Sequence, residues 1–117
     1  MKIQDYIQQN EARFMEEWAS LIRIPSVSCQ QEHKPDMLRC AERWVELLKA
    51  AGCQRAEVMP SDGNPFVFAE YLPTDTTPTK TVLVYAHYDV MPVEPLDLWQ
   101  SNPWEPEIRN GRLYARG

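Results

Sequence analysis

The stretch TVLVYAHYDVMP, Thr81 to Pro92, constrains the fold more than any other part of the chain. From Thr81 to Ala86 it is mostly apolar at odd and even positions alike, so an extended backbone here would present apolar side chains to both faces of a sheet. That is the pattern of a central strand covered on each side, and it predicts a layered α/β protein. The run does not close in a turn of Gly, Asn or Ser. It closes in His87, Tyr88 and Asp89, and then, after Val90 and Met91, in a proline.

Two helices are expected ahead of it. Ile3, Tyr6, Ile7, Phe14, Trp18, Leu21 and Ile22 recur at near-helical spacing, with Glu11, Arg13, Glu16 and Glu17 in the intervals. This is an amphipathic helix that ends before Pro25, with one apolar stripe facing a core. IPSVSCQQEHKPD is a loop by its Pro and Ser content, and Asp36 stands where it could cap the next helix. Met37, Cys40, Ala41, Trp44, Val45, Leu48 and Ala51 carry that second helix, and Gly52 stops it. The Met and Trp stripe has core periodicity rather than that of a binding surface.

Beyond Gly52 the period changes to that of extended chain. RAEVMP and PFVFAEYL read as strands on either side of the turn SDGN, and PTDTTPTK is a polar loop leading into Thr81. Farther on, Asn110-Gly111 in EIRNGRLY marks a hairpin, because a type I′ turn needs positive φ at both central residues.

A chain of 117 residues is long enough for one domain with a core, and 44% hydrophobic with 25% charged residues is ordinary for a soluble globular protein. The net charge of −5 gives no electrostatic ground for nucleic acid or an anionic membrane as partner. The first residues lack the apolar core of a secretory signal, and no run approaches the roughly 20 apolar residues that span a bilayer. A cytoplasmic location is expected. Cys29, Cys40 and Cys53 are odd in number and far apart, so they read as reduced, structural thiols rather than a disulfide framework or a zinc knuckle.

His87 lies at the carboxyl end of the expected central strand, where the loops of open α/β sheets diverge and ligands gather. In extended chain, positions i and i+2 point to one side, so the imidazole of His87 and the carboxylate of Asp89 are neighbours. That arrangement suits a metal ligand oriented by a carboxylate, but from these two residues alone a hydrogen-bonded pair at a loop is the commoner outcome. An amidohydrolase barrel would want H-x-H and a metallophosphatase D-x-H, whereas this chain has H-x-D. His33, among charged residues, is expected to be solvated. Ser26 and Ser28 lack the G-x-S-x-G elbow, so a serine nucleophile is unsupported.

The longer stretch VLVYAHYDVMPVEPLDLWQSNPWEPEIRNGRLYARG resembles the segment around the first zinc ligand in the metallopeptidase family of cytosolic dipeptidases, carnosinases, aminoacylases, succinyl-diaminopimelate desuccinylase and glutamate carboxypeptidase. The matching elements are the apolar strand, H-x-D followed by V-x-P, the W-x-x-x-P-W-x-P spacing, the hairpin, and the closing Tyr114-x-Arg116-Gly117. IPSVS after an amphipathic helix fits the same family.

The resemblance implies the N-terminal part, residues 1–117, of a layered α/β/α zinc-exopeptidase catalytic domain: two helices, strands of a mixed sheet, and a hairpin. It implies two neighbouring zinc ions, with cobalt or manganese as alternatives, and hydrolysis of dipeptides or short peptides. His87 would bind one metal and Asp89 would orient that imidazole, while Arg116 and Gly117 would lead toward the aspartate that bridges both metals. That aspartate, the general-base glutamate and the other ligands are expected beyond Gly117, as is a lid domain through which a homodimer could form. A 117-residue piece by itself is then expected to be inactive. Two readings compete: an N-acyl amino acid deacylase on the same scaffold, and a non-catalytic truncated product.

Overall fold

The computed structural model describes every residue except Thr76, Pro78 and Thr79. Helix α1 runs over Ile3–Ile22, and the chain leaves it before Pro25, as the pattern predicts. Its apolar stripe is sealed at one end only. Ala19 and Ile22 are buried, whereas Ile3, Tyr6, Ile7 and Trp18 are largely exposed. Among the described elements α1 packs only against the second helix, and a bond from Arg43 Nε to Ser20 Oγ (2.9 Å) marks that contact near the C-terminal end of α1.

One 3-10 turn, Gln31–His33, leads into helix α2, Lys34–Ala50. Pro35 sits in the first turn, where its missing N–H would have had no helical partner in any case. The N-cap position falls to His33, which makes no side-chain capping bond. Asp36 is therefore not the cap but a first-turn carboxylate, favoured there by the helix dipole. It also accepts the Nδ1–H of His33 at 2.7 Å, so His33 is half-buried and paired rather than solvated. At the other end Gly52 adopts φ +104°. Its N–H reaches Lys49 O and the N–H of Cys53 reaches Leu48 O, both at 3.0 Å. These two bonds are the Schellman closure that a residue in left-handed conformation makes possible.

Strands β1 (Arg55–Met59) and β2 (Phe66–Glu70) pair antiparallel in the register Arg55↔Glu70 to Met59↔Phe66. The hairpin lies on α2, and both its strands touch the helix. Between them the core forms around Met37, Cys40 and Ala41 of α2, all at most 2% exposed, with Ala56 of β1. Of the stripe read as core, Met37, Cys40 and Ala41 are buried, Trp44, Val45 and Leu48 are half-buried, and Ala51 is exposed. Strands β3 (Glu107–Arg109) and β4 (Arg112–Tyr114) form the second hairpin. Asn110 (φ 51°) and Gly111 (φ 73°) supply the two positive φ angles its turn requires.

The expected central strand is the main departure. Thr81 to Ala86 enters no ladder among the described residues, and Leu83 is 90% exposed with Val82, Val84 and Tyr85 close behind. Its apolar pattern favours extended chain, but a strand also needs a partner's carbonyl and amide groups, and neither described hairpin supplies them. Part of the polar loop PTDTTPTK lies outside the described residues. Pairing resumes only at Val90, which bridges Val27 in parallel.

Candidate metal centre

The loop between the helices and the segment after Ala86 hold each other. Val90 N–H donates to Ser26 O at 2.9 Å, and the hydroxyl of Ser26, which is buried, donates to Tyr88 O at 2.8 Å. The hydroxyl of Tyr88 donates in turn to Pro65 O, at the start of β2. These contacts anchor the chain at Tyr88 and Val90, on either side of Asp89, to the loop before α2 and to the first hairpin. Burial also pushes the Tyr88 phenol up from its ordinary value.

His87 and Asp89 meet as the i, i+2 spacing predicts. Nδ1 of His87 lies 3.0 Å from the backbone oxygen of Asp89 and 3.2 Å from its Oδ1. A carbonyl oxygen accepts and cannot donate, so Nδ1 carries the proton and, in the neutral ring, Nε2 carries the lone pair. The ring is 76% exposed, and no described residue bonds Nε2. Asp89 Oδ2 accepts the hydroxyl of Ser28 at 2.6 Å. Chiefly through that bond, and with help from His87, the Asp89 carboxyl is held below the usual carboxylate range despite its partial desolvation.

Two clefts share these residues. A cavity of about 520 Å³ opens between α2, the start of β2 and residues 84–89. A smaller one of about 150 Å³ lies on the other side of His87, Tyr88 and Asp89, lined by Trp18, Cys40, Arg116 and Gly117. The closing Arg116-Gly117 thus lines the same small cleft as His87, although 29 positions separate His87 from Arg116 in the chain. Arg116 is held there by its N–H on Pro103 O (2.8 Å) and by its guanidinium 5.0 Å from the Trp99 ring centre. Trp99 is itself fixed through Nε1 on Val93 O at 2.8 Å.

The donor set fits a metal as one ligand of several. An imidazole with Nε2 unpartnered and a carboxylate behind Nδ1 suits a divalent metal, but no group of three His, Cys, Asp or Glu side chains gathers among the described residues. Cys40 contributes nothing to it: the thiol is buried, pushed up by desolvation, and points at Tyr88 O. The three cysteines are free, as expected. His33 is tied to Asp36 on a different part of α2. Sequence reasoning missed Ser28 and Ser26, having weighed them only as nucleophiles. Their S-x-S spacing was the available signal, since alternate residues of an extended loop point the same way.

The fold and these residues resemble the N-terminal α/β portion of metallopeptidase catalytic domains. Residues 83–117 match the profile described as Peptidase family M20/M25/M40. That stretch holds most of the apolar run, H-x-D and Tyr-x-Arg-Gly, on which the resemblance rests. A succinyl-diaminopimelate desuccinylase of Variovorax paradoxus is 36% identical over 100 residues, 83% of this chain and 24% of that protein. Human carnosine dipeptidase 1 superposes with TM-score 0.83 at 27% identity, covering 97% of this chain and 26% of its own. The M20 family metallo-carboxypeptidase Sso-CP2 of Sulfolobus solfataricus gives TM-score 0.73 at 33% identity, over 85% of this chain and 21% of its own. The chain spans 22–24% of the length of the first curated relatives it matches. Among the described residues no helix is long and apolar enough to cross a membrane.

Proposed function

We propose that the protein to which these residues belong is a dinuclear zinc hydrolase that cleaves dipeptides or short peptides. The observation that carries this reading is the contact of His87 Nδ1 with both the backbone oxygen and Oδ1 of Asp89, which assigns the proton to Nδ1 and leaves Nε2 without a partner among the described residues. In this role His87 is a metal ligand, and Asp89 fixes its tautomer and raises its basicity. When bound, zinc supplies the Lewis acidity that polarises an amide carbonyl and lowers the pKa of water. The chain's own residues hold the ligand in aim. The Ser26 and Val90 bonds keep the backbone from swinging, and the 520 Å³ cleft beside His87 leaves room for a small substrate. Because the described residues offer one ligand, the rest of the metal set and the general base come from other residues, and Met1 to Gly117 alone is inactive. A homodimer would likewise depend on a lid domain outside this stretch.

A second reading, hydrolysis of N-acyl amino acids, is favoured by the likeness to desuccinylases among the curated relatives. Both reactions cleave an amide and use His87 in the same way. They are separated by assaying the intact protein on dipeptides against N-succinyl and N-acetyl amino acids.

The decisive test is His87→Ala in the intact protein. One metal ion and nearly all hydrolysis are expected to go, because water does not replace an imidazole nitrogen at equal affinity. Elemental analysis that still finds the wild-type metal content would overturn the assignment. Asp89→Asn should keep metal bound but lower affinity or activity roughly 10- to 100-fold. A rate equal to wild type would reduce Asp89 to a loop hydrogen bond.

A further inference from the structure

The loop before α2 runs beside residues 88–90 as a short length of paired extended chain. The Val27↔Val90 bridge, Val90 N–H on Ser26 O and Ser26 Oγ on Tyr88 O fix the backbone there. None of the three touches the carboxylate of Asp89. The torsion that turns a carboxylate about its own axis is broad and two-fold, so backbone anchoring alone leaves that group free to rotate. A single further contact sets it. Ser28 Oγ donates to Oδ2 at 2.6 Å, and with Oδ2 held, Oδ1 is the oxygen presented to His87 Nδ1 at 3.2 Å. A hydroxyl donating to a carboxylate belongs to the stronger class of hydrogen bonds, and the observed length agrees with it.

We propose that Ser28 is a positioning residue: by holding one oxygen of Asp89 it aims the other at His87 Nδ1, and so sets how completely the imidazole keeps its Nδ1–H tautomer with the Nε2 lone pair outward. The consequence for metal binding rests on His87 being a ligand. The consequence for the tautomer does not. The carbonyl of Asp89 also accepts from Nδ1, at 3.0 Å, so loss of Ser28 weakens the preference without abolishing it.

The test reads the tautomer in metal-free intact protein by nitrogen NMR at alkaline pH, with His87 assigned from its absence in His87→Gln. In Ser28→Ala the ratio of Nδ1–H to Nε2–H should fall roughly threefold or more, the loss of about one net hydrogen bond. Ser26→Ala, which removes a hydroxyl bond to the backbone of the same segment, should lower thermal stability and leave the ratio within error of wild type. Ser28→Thr keeps a hydroxyl and should keep the ratio, while the isosteric Ser28→Val should lose it, which covers the case in which alanine disturbs the loop. Zinc affinity by competition with a chelator should fall up to about tenfold in Ser28→Val, and that loss should vanish in an Asp89→Asn background. An unchanged ratio in both Ser28→Ala and Ser28→Val, or an equal change in Ser26→Ala, overturns the proposal. If instead the ratio moves while His87→Ala retains all its metal, Ser28 is confirmed as positioning and the metal reading is the part that fails.

Discussion

Strand β2, Phe66–Glu70, and the run Thr81 to Ala86 carry similar local instructions, yet they end in opposite conditions. Both are short apolar stretches rich in residues that favour extended chain. β2 finds β1 along one edge and α2 beneath, and four of its five residues are partly covered. Thr81 to Ala86 has no described strand alongside, and Val82 through Tyr85 are each more than 80% exposed. A local pattern selects the extended conformation. Burial and hydrogen bonding come from a neighbour, and an exposed apolar edge of this kind is a surface that pairs with whatever extended chain reaches it.

The difference between the two regions can be attacked by experiment. Met37→Ala, beneath the first hairpin, should cost about 2–5 kcal/mol, because the side chain is almost wholly buried and the helix and hairpin around it relax only in part. Denaturant unfolding measures this, and a loss below about 1 kcal/mol would mean that α2 and the hairpin are not the packed half of the molecule. Thiol labelling gives the same contrast by another route. Cys29 is exposed and should react at an ordinary rate, whereas Cys40, buried and with its thiol held protonated, should lag by about 100-fold. Equal rates of modification would show that this core opens freely.

Smaller effects are expected at the periphery. Arg23, at the end of α1, holds Glu105 through three hydrogen bonds between 2.8 and 3.1 Å, and its guanidinium lowers the Glu105 carboxyl from the ordinary 4.5. A carboxyl lowered on folding adds stability above its unfolded pKa and loses it as pH falls through the lower folded value. The melting temperatures of wild type and Glu105→Gln should therefore differ at neutral pH by a degree or two at most and converge as pH falls through the lowered carboxyl value. A gap that does not narrow at all as the pH is lowered would assign the difference to packing. The smallest change is expected in the exposed run: Leu83→Ser should alter the stability of Met1 to Gly117 by no more than about 0.5 kcal/mol. A loss of several kcal/mol in a longer form of the protein would show that another element covers the run there.

The sequence by itself determined the elements and the pairing of chemistry within short range. Helical spacing and Gly52 set α2 and its end, Asn110-Gly111 set the second turn, and H-x-D in extended chain put an imidazole beside a carboxylate. Each of these depends on contacts within a few residues, which a periodic pattern records directly. Spacing misplaced the start of α2, because Pro35 is as acceptable inside a first helical turn as before it, and the cap moved from Asp36 to His33. Only the tertiary structure decided that α1 seals its stripe at one end, that Ser26 and Ser28 clamp residues 88–90 from 61 or 62 positions away, and that Arg116 comes to line one cleft with His87. It also decided that Thr81 to Ala86 stands unpaired among the described residues. A hydroxyl carries no periodic trace of the carboxylate it will meet, and an apolar residue does not specify which surface will cover it. Those outcomes depend on which distant segments the chain brings together.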